Sequence, residues 1–153
     1  MRAPFTQLYL HCVWATWDRE PLVTAPIEQP VYAFILAKTR ELRCMPIAIG
    51  GMSEHVHLLV RWSPTVSVAA FIGEVKGASS HFVAHQLLPG GFFKWQGAYG
   101  AFTVSRDHVE PVRHYIEHQK EHHAMQTVVS AWEQITGERS DVNLASEDRK
   151  SVV

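Results

Sequence analysis

Cysteine is scarce in this chain: Cys12 and Cys44 are the only two among 153 residues, and each lies in an apolar setting. Two such thiols exclude a disulfide framework and a thiolate metal site, and they read as buried, reduced side chains. Net charge is scarce too, with 14 Lys and Arg against 15 Asp and Glu. The chain therefore has no overall electrostatic footprint for nucleic acid, and only local clusters of basic residues are left to make one. No apolar run is long enough to cross a bilayer, and Met1 to Leu10 has one basic residue and no cleavage site after an apolar core. These absences argue against a membrane partner and make a cytoplasmic location the default expectation. Internal repeats and low-complexity blocks are also missing.

What is present is an ordinary globular composition, 46% hydrophobic and 19% charged, at a length that suits one domain. Histidine is the exception. There are ten, and five fall between His108 and His123. Residues 1–136 are expected to form the domain, and the polar residues 137–153 a poorly ordered tail.

Gln7 to Trp17 is rich in aromatic and apolar strand formers, and Asp18 to Pro21 breaks it. Thr24-Ala25-Pro26 opens a helix over Ile27 to Arg43, with Val31, Phe34, Ile35, Ala37 and Leu42 at mostly helical spacing. Met45 to Gly50 reads as a second strand, turned by Gly51-Met52-Ser53 into a third. Val66 to Gln86 reads as a second helix, Phe102 to Val104 as a fourth strand, and 107–124 as a third helix with Asp107 and Glu110 as a capping box. Thr127 to Ile135 adds a short helix. This order predicts an α+β fold, a mainly antiparallel sheet with helices packed on it, close to the split βαβ or ferredoxin-like arrangement.

The third strand contains Glu54-His55-Val56-His57-Leu58-Leu59-Val60. Alternation puts His55, His57, Leu59 and Arg61 on one face and the apolar set Val56, Leu58, Val60 and Trp62 on the other. The apolar set is expected to face the core, with both imidazoles displayed opposite. Histidines two apart on a strand lie roughly 6.6 Å apart at Cα, close enough to share one metal ion. On the third helix Tyr115 and Gln119 are four residues apart and share a face. Two imidazoles and a neutral side-chain oxygen would make a three-ligand site with positions open to substrate oxygens. Other histidine-pair sites fit less well. A cupin-like site needs a glutamate where Val60 and Arg61 stand, a histidine-triad hydrolase needs a histidine at Leu59, and a barrel amidohydrolase needs a far longer chain.

Several motifs then occur in a familiar order: Val13 to Leu22, Glu54-His55-Val56-His57-Leu58-Leu59-Val60, Lys76-Gly77-Ala78-Ser79-Ser80, Trp95-Gln96-Gly97-Ala98-Tyr99, and Tyr115-Ile116-Glu117-His118-Gln119. Over roughly residues 5 to 123 the chain resembles the single-tyrosine HUH transposases of the insertion-sequence-200-like group, including their REP-associated relatives. That resemblance implies Tyr115 as nucleophile on a DNA phosphodiester, through a 5′-phosphotyrosine intermediate, with His55, His57 and Gln119 holding Mg²⁺ or Mn²⁺. It also implies single-stranded or hairpin DNA as partner and a homodimer whose active sites can be shared between subunits. Lys76, Ser79, Ser80, Arg61 and Arg113 are candidate phosphate contacts, and Trp95 a candidate base-stacking platform. The competing expectations are a domesticated DNA-binding protein of the same fold with little or no cleavage, and a metal-dependent hydrolase that uses water in place of the tyrosine.

Overall fold

The structure is a computed structural model, and it describes residues 2–137. The expected tail lies almost wholly outside the described residues.

Four strands form one antiparallel sheet in the order β2-β3-β1-β4, with β1 at Tyr9–Ala15, β2 at Met45–Met52, β3 at His55–Arg61 and β4 at Gly100–Val104. Helices α1 (Ala25–Glu41) and α2 (Val68–Phe82) connect the strands in the split βαβ manner. The α+β expectation is met. Ser67 caps α2 by accepting a hydrogen bond from the Ala70 backbone nitrogen, and α2 continues into a single wide turn at Val83–Leu87.

The main core lies between the sheet and α1 with α2. Val56, Leu58 and Val60 point into it from β3 and Trp62 from just beyond its end, and Cys12 and Trp14 from β1, against Val31 and Ile35 of α1 and Phe71, Ile72 and Val75 of α2. The expected apolar face of β3 is thus the core face. Both cysteines are buried and free.

The opposite face of β3 is not displayed to solvent. Two further helices, α3 (Val109–Glu117) and α4 (Gln119–Ala124), lie across it, and Leu59 and Ala48 pack there with Val112, Tyr115 and Ile116 in a second, smaller core. Gly50 makes this closeness possible. A Cβ built on it would meet the Ile116 carbonyl oxygen well inside 3.0 Å, so only a residue without one lets α3 lie this near the sheet.

Three local expectations are corrected. The third helix breaks at His118, whose φ of −113° and ψ of 29° are not helical. No side-chain cap forms at its start, because Arg106–His108 make a separate 3-10 turn and Ser105 Oγ instead pairs with His108 Nδ1 at 2.6 Å. The short helix expected over 127–135 is reduced to one 3-10 turn, Ser130–Trp132, because this segment is held by contacts across the sheet face and not by its own periodicity.

Candidate active site and metal centre

Alternation along β3 carries His55 and His57 onto the covered face, where they are 1% and 0% exposed with ring centroids 5.0 Å apart. Each ring is held through Nδ1. His55 Nδ1 pairs with Glu54 Oε1 at 3.0 Å, and His57 Nδ1 with His11 Nε2 at 2.8 Å. Burial, and then repulsion from His57, lower the His11 pKa to about 3, so His11 is neutral. Both histidines therefore turn Nε2 toward the same point. This is the usual way a second ring of partners orients metal-binding imidazoles.

The break at His118 places Gln119 at the start of α4, directly over β3. Its Nε2 donates to the Tyr115 carbonyl at 3.3 Å, which aims Oε1 at His55 Nε2, 3.1 Å away, and at His123 Nε2, also 3.1 Å away. Tyr115 is 3% exposed, with its ring edge-on to that of His57 at 5.9 Å. The nucleophile and ligands expected from sequence thus meet within one chain.

A further residue is among them. Glu133 arrives from the segment after α4 and sets Oε2 2.8 Å from His57 Nε2 and 3.5 Å from His55 Nε2, while Oε1 accepts a 2.5 Å hydrogen bond from the Tyr115 hydroxyl. His55, His57 and Glu133 each offer a ligand atom within 4.8 Å of the others. Donors held at about 2.1 Å by an octahedral ion stand about 3.0 Å from one another, close to the separations here. With the Nδ1 atoms engaged, His55 Nε2, Gln119 Oε1 and Glu133 Oε2 all present lone pairs to one small volume, and a cation answers that arrangement. The donor set fits a divalent metal ion.

Charge follows the geometry. Burial works to raise the Glu133 pKa but is outweighed by the hydrogen bond and charge of His57 and by the Tyr115 hydroxyl, so it falls to about 2. Burial lowers the His57 pKa despite Glu133. The Tyr115 phenol is pushed up to about 12, by burial and by the hydrogen bond to Glu133.

The other expected site residues lie elsewhere. The Lys76 ammonium donates to the carbonyls of Gln96 and Ala98 and holds that loop, and burial lowers its pKa. Ser79 is buried and accepts from Trp95 Nε1 at 2.8 Å; Trp95 itself is 5% exposed and packs edge-on against Trp14 and Phe93. Ser80 donates to the Gly77 carbonyl. Arg61 is exposed at the end of β3 and donates to the Thr6 carbonyl, and Arg113 is exposed on α3 between Glu110 and Glu117.

Sequence reasoning gave no role in the site to Glu133, His11 or His123. Alternation from Val13, which pairs with His57 in register, would have put His11 on the site face. His123 falls four residues after Gln119, within reach on a helix. Glu133 has no such signal, since it sits 18 residues beyond Tyr115 in a segment without regular structure.

Comparison with known proteins agrees with this architecture. The family model described as transposase IS200 like matches residues 4–119. The ISDra2 transposase TnpA of Deinococcus radiodurans is 28% identical over 119 residues, which are 74% of this chain and 84% of that protein. A crystal structure from Deinococcus radiodurans R1, assigned as a transposase, superposes with a TM-score of 0.60 at 27% identity, covering 78% of this chain and 95% of the other. A REP-associated tyrosine transposase bound to a REP hairpin shares the fold at a TM-score of 0.56 and 14% identity, covering 85% of this chain and 75% of that one. With the family match spanning most of its length and the sheet order and covering helices in place, this chain belongs to the IS200-like transposase family.

Proposed function

We propose that the protein nicks single-stranded or hairpin DNA and transfers the strand, with Tyr115 as nucleophile and His55, His57 and Gln119 as ligands of Mg²⁺ or Mn²⁺. The observation that carries this reading is the meeting of a phenol, two Nε2-presenting imidazoles and an amide oxygen in one buried cluster.

In the reaction the Tyr115 Oη–P bond forms and the P–O3′ bond breaks. The tyrosine gives up its proton and the leaving 3′ oxygen takes one up, so a 5′-phosphate stays on the protein and a 3′-hydroxyl is released. Because one phosphodiester replaces another, a 3′-hydroxyl can reverse the step and join strands without nucleotide hydrolysis. A bound divalent cation supplies positive charge against the phosphate and the forming phenolate. The chain's own part is to position: His11 and Glu54 hold the imidazoles, and the Tyr115 carbonyl holds the Gln119 amide. Because Tyr115 lies beside the histidines of its own chain, we infer that each subunit of a homodimer works in cis. Exposed Arg61 and Arg113, with Ser80, stay as proposed DNA contacts, while Lys76, which holds the Gln96 and Ala98 carbonyls, and buried Ser79 and Trp95 are proposed to shape that surface from within.

The test is a denaturing gel of protein incubated with single-stranded oligonucleotides and Mn²⁺. A covalent adduct is expected, lost in Tyr115→Phe, in His57→Ala and in chelator. An adduct in Tyr115→Phe refutes the nucleophile. Bound but uncut DNA points to the non-cleaving DNA-binding protein, and cut DNA without adduct to a hydrolase.

A further inference from the structure

Glu133 stands outside the expected ligand set, and the segment that carries it is seated too specifically to be a bystander. Residues 127–136 cross the covered sheet face. The Val129 backbone nitrogen donates to Tyr115 Oη at 3.1 Å, and Trp132 packs edge-on against the Tyr115 ring at 5.0 Å and near the His11 ring at 6.3 Å. Beyond them the Gln134 carbonyl oxygen rests on Gly100, where a Cβ would collide with it. The segment covers Tyr115, and one carboxylate fastens its middle, with one oxygen toward the imidazoles and the other on the phenol.

A cation that displaces the proton shared by His57 Nε2 and Glu133 Oε2 would meet more donors there than that one hydrogen bond uses. Glu133 Oε2 lies 3.5 Å from His55 Nε2 and 2.8 Å from His57 Nε2, and both imidazoles already use Nδ1 on Glu54 and His11. Gln119 Oε1, another acceptor, is aimed into the same space. A carboxylate oxygen, an amide oxygen and two imidazole nitrogens at these separations make the donor set of a hard or borderline divalent ion.

We propose that Glu133 is the fourth protein ligand of the cation site in the DNA-free protein, so that loading the metal draws residues 127–136 shut over Tyr115. The inference rests on the reading of His55, His57 and Gln119 as metal ligands. It makes metal occupancy and closure of the segment one event, and DNA must lift the segment for its phosphate to reach Tyr115.

The full chain is titrated with Mn²⁺ in the absence of DNA, by calorimetry and by the electron paramagnetic resonance of free Mn²⁺, for wild type, Glu133→Gln, Glu133→Ala and His57→Ala. Hydrogen exchange of residues 127–136 is followed with and without Mn²⁺. Removing a partner that merely orients a ligand costs about 10–100-fold in metal affinity, so loss of the ligand itself should weaken Mn²⁺ binding by at least about tenfold. Mn²⁺ should slow exchange at Val129 in wild type and not in Glu133→Gln. Glu133→Gln keeps the shape of the side chain and carries the test if Glu133→Ala does not fold. Wild-type Mn²⁺ affinity in Glu133→Gln, with affinity lost in His57→Ala, overturns this inference and leaves the cation site standing. Unchanged affinity in His57→Ala removes the cation site, and the inference with it. Equal Val129 protection by Mn²⁺ in wild type and Glu133→Gln overturns the coupling to closure.

Discussion

Gly50→Ala is the sharpest test of how the fold sets the chemistry, because the change is one methyl group on a residue that does no chemistry. The new Cβ would overlap the Ile116 carbonyl oxygen, and Ile116 Cγ2 lies only 3.4 Å from the same point. Ile116 follows Tyr115 on α3, so the methyl is accommodated only if α3 moves off the sheet, by about 1 Å given how stiffly packed interiors resist overlap. Overpacking of this kind costs about 1 to 3 kcal/mol, which leaves a domain of this size folded. A displacement of about 1 Å between reacting groups costs on the order of 10²-fold in rate. The expected result is a folded variant with adduct formation slowed about 100-fold and weaker Mn²⁺ binding, because Tyr115 and Gln119 travel with the helix while His55 and His57 do not. The assay is single-turnover adduct formation beside a thermal melt. Gly73→Ala, on α2 with nothing within 4 Å of its Cβ, is the control and should melt slightly higher at unchanged rate. Wild-type adduct formation in Gly50→Ala would refute the claim that close approach of α3 to β2 sets the site.

Further consequences can be measured separately. His11→Phe, which removes the partner of His57 Nδ1, should weaken Mn²⁺ binding about 10–100-fold while the protein stays folded, as calorimetry will show. Glu133 has a pKa below its ordinary value of 4.5, at about 2, so its carboxylate stabilises the fold above pH 4.5 and that contribution is lost as pH falls toward 2. Metal-free wild type should therefore lose melting temperature more steeply than Glu133→Gln across that window. Lys76→Met should lower the melting temperature by freeing the Gln96 and Ala98 carbonyls, and it should leave the salt dependence of DNA binding unchanged. A salt slope smaller by about one would instead reveal a phosphate contact.

Much of the fold was legible because its signals are local. Strict alternation in β3 separated Val56, Leu58, Val60 and Trp62 from the histidine face, and that division is the core boundary in the structure. Helical spacing placed Tyr115 and Gln119 one turn apart, and they remain so across the break at His118. What misled was treating the histidine face as open. A single sheet has two faces, and nothing in β3 itself says that α3 and α4 will lie across the second.

Sequence alone determined which side chains are available and on which face of their own element each one points, because backbone geometry fixes periods of two and of about 3.6 residues. Only the tertiary structure decided their company. The close approach at Gly50, the closure over Gly100, the pairing of His11 with His57 and the arrival of Glu133 beside His55 and His57 join residues 34 to 78 positions apart. Such pairings depend on how layers stack, a property of the whole packed domain that no short stretch of chain encodes.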